Sequence, residues 1–415
     1  MDNIQELREI VNPVFNTAKS CLNLNAIAGD ADSQRLQAFL GFNAFSNDNM
    51  RKYVTPEIQA QVQKLVPVFM IYTWSRFHGM NRLIESEADS AVVDLPCGYT
   101  ARGMKMARMG RSYYGFDLPA VIDVIGPAVE QLQGKNANIH YDAVDATNFD
   151  SLAAPLAGEA RRLMIVTEGL LMYFNQPELE TVFTNVRRLL QKHGGSWVIV
   201  DRAYYLHERD IASAVLDHDP AMLALHKAVI SQGADNMADT ATNQNILFQG
   251  DDEAARAFIG KMGFEIREIC MEDYLPDHFD ALKGRPQAEA EVRNVFRSMY
   301  FWVLTAKTEA GENDVPNLPF AVESEYQNGT FSVRIQGRMD TITAPELLKR
   351  FQAVTDKIEA IEVDVADMAY VSSAGLRVLL MMYKSLDDKN GFKLLNVKDE
   401  VREILEVTGF DQLLM

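Results

Sequence analysis

Apolar positions along the chain fall into three regimes. Up to about residue 88 they recur at helical spacing, as Ile4, Leu7, Ile10 and Val11 and again as Val62, Leu65, Val66 and Met70, which predicts a helical N-terminal region over 1–88. From Ala91 short apolar runs alternate with helical stretches. The runs predict strands at 91–95, 112–117, 137–141, 162–167 and 195–201, and the stretches between them predict helices at 101–109, 119–133, 148–157 and 176–192. Such alternation makes a mostly parallel sheet with helices on both faces. Residues 204–250 read as a largely helical insertion, ARAFIGKMGF as helix and turn, and EIREICME and SMYFWVLTAK as a closing pair of strands at the sheet edge, which ends an α/β domain over 89–307.

At 308–319 the apolar pattern stops and Gly, Pro, Asn and Glu take over, which marks a linker. Residues 320–415 then read as a second, small α/β domain. FAVESEYQNGTFSVRIQG is a hairpin about Asn328 and Gly329. The stretch TAPE from Thr343 to Glu346 reads as a capping box opening a helix. AIEVDVADM and FKLLNV are strands, SSAGLRVLLMMYKSL is a helix entered through small residues, and DEVREILEVTGF is a last helix.

In an open parallel sheet, ligands bind beyond the carboxyl ends of the strands. The stretch AVVDLPCGYTARG carries the first such end, where Pro96 interrupts the ladder and Gly98 permits a sharp turn with close backbone approach. Nineteen residues after Gly98 comes Asp117, the spacing at which a carboxylate meets ribose hydroxyls. The turn lacks the three glycines of a dinucleotide fingerprint and the GK[ST] of a phosphate loop, which leaves a nucleoside without pyrophosphate, of which S-adenosylmethionine is the common one. Further acidic ends follow in series: Asp142 or Asp145, then Glu168, then Asp201 beside Arg202.

Composition narrows the partners. A net charge of −18 opposes a nucleic-acid partner. No run of about 18 apolar residues spans a membrane, the acidic start MDNIQELREI is no secretory signal, and a cytoplasmic protein is expected. Cys21, Cys97 and Cys270 are too few and scattered for a disulfide framework or a zinc site, and Cys97 reads as a small buried thiol. His207, His218 and His226 fit no metal spacing and read as surface residues. Tyr72, Arg76 and Arg82 fall along one helix, where Arg76 is a structural arginine or a clamp for a substrate carboxylate.

Three motifs carry a resemblance. VVDLPCGYTARG, GFDLP and TEGLLMYF at 167–174 make residues 60–305 resemble class I S-adenosylmethionine-dependent methyltransferases, within them the leucine carboxyl methyltransferase and polyketide O-methyltransferase group. Pro96 and Cys97 replace the group's usual glycine and small residue, and Thr100 stands where an aspartate is common. GRMDTITAPEL and DMAYVSSAGLRVLL make residues 320–415 resemble STAS domains, the anti-sigma factor antagonist class, with Ser372 where many members have aspartate.

The resemblance implies a Rossmann-like methyltransferase sheet with a helical N-terminal cap, plus a small α/β STAS domain. It implies an S-adenosylmethionine-dependent O-methyltransferase acting on a carboxylate or hydroxyl of a small molecule. Pro96, Cys97, Gly98 and Arg102 fall at its cofactor turn, Asp117 at the ribose, Asp145 and Ala146 at the adenine, and Glu168 and Gly169 facing the ammonium or sulfonium region. Arg76, Tyr173 and Arg202 are candidates for the acceptor site by strand-end position. Ser373 matches the regulatory phosphoserine of the STAS class, with an anti-sigma factor or a serine kinase as partner. A second reading is a non-catalytic sensor of the cofactor or its demethylated product that acts through the STAS domain.

Overall fold

Ala91, Val92, Val93 and Asp94 are all buried, and they belong to an interior strand of a seven-stranded sheet. The structure is a computed structural model that describes residues 15–42, 63–87, 89–237, 245–307, 320–340, 343–354, 358–386, 388–398, 401–402, 405 and 410. The expected linker 308–319 and the periodic positions Ile4 to Val11 and Val62 lie outside the described residues. The chain divides into two units, Val14–Glu309 and a second that holds Ala310–Met415.

In the first unit α1 (Phe15–Ile27), α2 (Ala31–Leu40) and α3 (Val66–Ser86) precede β1 (Ser90–Asp94), α4 (Arg102–Arg108), β2 (Tyr113–Asp117), α5 (Pro119–Gln133), β3 (Ile139–Ala143) and α6 (Phe149–Ala153). Then come β4 (Arg162–Thr167), α7 (Gln176–His193), β5 (Gly195–Ile199), α8 (Asp201–Val215), α9 (Pro220–Met237), α10 (Asp252–Lys261), β6 (Phe264–Cys270), α11 (Pro286–Phe296) and β7 (Tyr300–Ala306). The sheet order is β3-β2-β1-β4-β5-β7-β6. β1 runs parallel to β2 and β4, with Val93 beside Tyr114 and Ile165, and β4 runs parallel to β5. Adjacent side chains of a strand take opposite faces. Val93, Ile165, Phe183 and Trp197 therefore belong to one core, and Val92, Val166, Met80 and Ile211 to the other.

The two closing strands pair with each other as expected, antiparallel with Ile266 opposite Leu304, but β7 is not at the edge. It also pairs with β5, Ile199 opposite Trp302, and leaves the edge to β6. Burial explains the order. β7 offers four consecutive buried residues, Phe301 to Leu304, whereas β6 carries Glu265, Arg267 and Glu268 outward. Helix α11 has no counterpart in the sequence reading; Pro286 in its first turn and buried Ala288, Val292 and Phe296 make its inner face.

The end of α3 is fastened to the start of β1 by one side chain. Arg111 donates to the carbonyls of Ile84, Glu87 and Ser90, the last two at 2.8 Å, so a cation meets the carbonyl end of the helix.

The second unit has a four-stranded sheet of order β11-β10-β9-β8, from β8 (Ala321–Gln327), β9 (Thr330–Met339), β10 (Ala360–Val371) and β11 (Phe392–Leu395), with α12 (Ala344–Gln352) and α13 (Ser373–Ser385). The hairpin closes as expected through Asn328 (φ 51°) and Gly329 (φ 80°), the two left-handed positions of a type I′ turn. The capping box at Thr343 is not formed. Thr343 has helical backbone angles and makes no side-chain cap, while its N–H donates to Asp340 Oδ1 at 3.1 Å and its hydroxyl lies 3.0 Å from the same oxygen. Asp340 takes the cap because it is buried and three residues earlier, and Glu346 turns outward to Arg350.

Candidate functional site

The chain leaving β1 is tied to both neighbouring strands across Pro96. The Leu95 N–H donates to Val166 O at 2.9 Å and the Cys97 N–H to Phe116 O at 2.8 Å, with the Leu95–Pro96 bond cis between them. Gly98 follows at φ +51°, and a side chain there would approach the Ala18 Cβ of α1 to 3.4 Å. This conformation aims the Gly98 N–H at the end of β2, where it donates to Asp117 Oδ2 at 2.7 Å; the Leu118 N–H donates to Oδ1, also at 2.7 Å. The turn and the acidic end, nineteen residues apart in sequence, are thus one piece of geometry.

Asp117 is 8% exposed. Burial pushes its carboxyl up to about 7, the nearby Asp94 charge pushes the same way, and the two N–H donors pull against them. Among the described residues no cation enters that balance. Cys97 is buried, and burial together with the Asp117 and Asp94 charges raises its thiol well above the ordinary range. It is an inert packing group, as its expected role requires.

Arg102 lies at the first turn of α4 and is 1% exposed. Its Nη1 donates to Asp94 Oδ1 at 2.7 Å, its Nε to Asn81 Oδ1 at 2.8 Å, and its Nη2 to Glu168 Oε2. Asp94 also accepts the Tyr113 hydroxyl at 2.9 Å, and Arg76 Nε stands 3.8 Å from Glu168 Oε1 with its guanidinium over the Tyr72 ring. The structure therefore brings Arg76, Arg102 and Glu168 together in one ion-pair cluster and adds Asp94, Asn81 and Tyr113, which the sequence reading did not single out. Asp94 carried a signal: an acidic residue inside a buried apolar run needs a partner. Arg82 is exposed on the same helix and takes no part.

At the next strand ends, Asp142 lies within β3 and Asp145 beyond it. Asp145 Oδ1 accepts the N–H and hydroxyl of Thr147 at 2.7 and 2.6 Å, and Ala146 O accepts from Asn185 at 3.0 Å. Gly169 follows Glu168 at φ +73° and leads into a single 3-10 turn, Leu171–Tyr173, that holds Tyr173 half-buried. Asn245, fully buried, fastens this segment by donating to Leu171 O and Phe174 O.

Arg202 goes elsewhere. Its side chain pairs with Asp252 of α10 and lies 4.8 Å from the Trp302 ring centroid on β7, lining a separate cavity. The side chain of Asp201 lies outside the described residues. Of the three histidines read as surface groups, His218 is exposed and His207 half-buried, but His226 is 5% exposed. It packs on Phe69 of α3, ring centroids 5.5 Å apart, with Nε2 3.4 Å from Glu208 Oε1. Burial raises Glu208 to about 7 and lowers His226, which holds the imidazole toward its neutral form.

In the second unit Ser372, buried, is the N-cap of α13 and accepts the Gly375 N–H at 3.3 Å. Ser373 opens that helix; its side chain lies outside the described residues. Among the described residues no helix is long and apolar enough to cross a membrane.

The family model described as Mlab, STAS domain, matches residues 325–415. BtrV of Bordetella bronchiseptica, whose name assigns it to the anti-sigma factor antagonists, is 35% identical over 85 residues, 20% of this chain and 73% of its own. The anti-sigma-B factor antagonist of Staphylococcus aureus is 28% identical over 96 residues, 22% of this chain and 88% of its own. Among solved structures, the magnesium protoporphyrin IX methyltransferase of Synechocystis PCC 6803 with bound SAH is similar over 73% of this chain and 100% of that one, at 13% identity and a TM-score of 0.33. Through residues 325–415 the chain belongs to the STAS-domain family.

Proposed function

We propose that residues 89–307, with the helices of 1–88 as a cap, are an S-adenosylmethionine-dependent O-methyltransferase acting on a carboxylate or hydroxyl of a small molecule, and that the module at 320–415 regulates it. The observation that carries this is the Gly98–Asp117 hydrogen bond at the carboxyl ends of β1 and β2. A buried carboxylate with no cation beside it among the described residues suits a ribose diol, whose hydroxyls donate to it without adding charge. Two positive-φ glycines, Gly98 and Gly169, let backbone approach the ligand at neighbouring strand ends. Asp145 with Ala146 would bound the adenine, Pro96 and Cys97 would shape the turn, and Glu168, oriented by Arg102 and Arg76, would face the ammonium. Tyr173 is the acceptor-side candidate closest in sequence to Glu168.

When bound, the cofactor supplies an electrophilic methyl group. The protein's share is to orient the acceptor oxygen and exclude water; an acceptor carboxylate, already ionised, needs no general base. Isothermal titration with S-adenosylmethionine and its demethylated product tests the reading, with Asp117→Ala expected to weaken both by about tenfold or more. Absence of binding by the wild type, or unchanged affinity in Asp117→Ala, removes it. Mass spectrometry of methylated products then separates an enzyme from a sensor that binds without turnover.

For the second unit the proposed partner is an anti-sigma factor or a serine kinase, in the cytoplasm, with Ser373 as the phosphorylated residue. About two added charges at the start of α13 would be tolerated by the free N–H groups of the helix and would repel an acidic partner surface. Phosphorylation mapped elsewhere, never at Ser373, would remove that switch.

A further inference from the structure

The cavity lined by Arg202 has a volume of about 250 Å³, and Val200, His207, Tyr300, Trp302 and Glu268 form other parts of its wall. Its charges come in matched pairs. Asp252 pairs with both Arg202 and Arg256, and Glu268 accepts from Arg256 and, at 3.0 Å, from the Trp302 indole N–H. Each guanidinium stands 4.8 Å from the Trp302 ring centroid. Two positive and two negative groups balance. Burial holds His207 toward its neutral form; the Asp210 charge opposes this and the Arg202 charge adds to it.

One donor is left over. Arg202 is 8% exposed, and its Nη2 is buried without a hydrogen-bond partner. A buried unmet donor is costly, more so on a charged group. An acceptor oxygen brought in by a ligand would meet it. An anion would do so against the Asp252 and Glu268 carboxylates that line the same space, whereas a neutral oxygen leaves the balanced set undisturbed. Tyr300 and Trp302 supply aromatic wall, and the volume lies below the range that holds drug-sized ligands, which leaves room for one ring.

We infer that this cavity binds an uncharged single-ring aromatic molecule bearing an acceptor oxygen, with that oxygen on Arg202 Nη2. The inference rests on the cavity and is independent of the transferase reading. The test uses the full chain and three probes that share a ring: acetophenone with a neutral acceptor, benzoate with an anion, and toluene with neither. The chain has three tryptophans, so the Trp302 indole N–H is readily followed by NMR.

Acetophenone should shift that resonance saturably and bind about tenfold tighter than toluene, and tighter than benzoate. Arg202→Met should bring acetophenone down to the toluene level. Tyr300→Ala, at a position already 36% exposed, should weaken acetophenone and toluene alike. The inference is overturned if acetophenone gives no saturable shift, if toluene or benzoate binds as tightly, or if folded Arg202→Met keeps its acetophenone affinity. Should Arg202→Met fail to fold, unchanged affinities in Tyr300→Ala overturn it.

Discussion

Arg102 donates through Nη1 to Asp94 Oδ1 at 2.7 Å, with both side chains 1% exposed. An ion pair this deep is held by its hydrogen bonds as much as by charge: Arg102 also meets Asn81 and Glu168, and Asp94 also meets Tyr113. Removing the guanidinium takes the paired cation from Asp94 and leaves Glu168 with Arg76 at 3.8 Å. Arg102→Met should therefore cost about 3–5 kcal/mol of unfolding free energy, read as a fall in the urea midpoint by tryptophan fluorescence. Arg102→Met with Asp94→Asn should recover part of the loss, since the partner is then neutral. An additive double mutant would show the two side chains to be uncoupled.

Tyr141 of β3 runs through a slot cut by glycines. A Cβ at Gly103 of α4 would come within 2.2 Å of the Tyr141 hydroxyl, and one at Gly115 of β2 within 2.6 Å of its ring. Each Gly→Ala change should destabilise by about 1–3 kcal/mol. The geometry separates the two: Tyr141→Phe should partly rescue Gly103→Ala, where the hydroxyl is the nearest atom, and should not rescue Gly115→Ala, where ring carbons are. Thermal midpoints of the single and double variants check this.

Asp117 links stability to pH with a definite sign. Its folded pKa, about 7, lies above the ordinary carboxyl value, so the folded state holds the proton more tightly than the unfolded chain does. The resulting stabilisation is complete below about pH 4 and is lost as pH rises through about 7. Wild type should lose thermal stability relative to Asp117→Asn across that window and run parallel to it above. A pH-independent difference would show that the carboxyl has the same pKa in the folded and unfolded states, with no upward shift on folding.

At the start of α12, Asp340→Ala should raise amide exchange across the first turn, costing about 1 kcal/mol locally. Glu346→Gln, at an exposed position paired with half-buried Arg350, should change nothing measurable. Hydrogen–deuterium exchange on the full chain reads both.

The strands and most helices were legible in the chain because their signal is local: Val92 and Val93, or the apolar run from Leu163, depend on nothing distant to be buried. The Gly98 turn and Asp117 were legible by spacing. What was hidden depends on which side chains meet across elements. Arg102 and Glu168 were each expected to face a ligand, yet they bind each other across sixty-six residues of sequence. His226 looked like a surface residue because nothing near it in sequence reveals Phe69 or Glu208 as neighbours. Thr343 satisfied a four-residue capping pattern, and Asp340, three residues before it, took the helix end with a side chain already buried there. The position of β7 was likewise a competition between two strands, decided by four consecutive buried residues.

That competition has a consequence for how the chain is made and cut. β7 is the last strand of its unit in sequence and an interior strand in space. Until residues 300–306 have emerged and docked, β5 presents an unpaired row of backbone donors and acceptors beside Trp197 and Val198, the kind of edge on which a second chain can template. The sheet of the first unit is thus completed from its middle, by a strand made after β6 and before the second unit. A truncation meant to release the first unit on its own must fall beyond Ala306, and one that ends before Tyr300 should precipitate rather than yield a smaller folded protein.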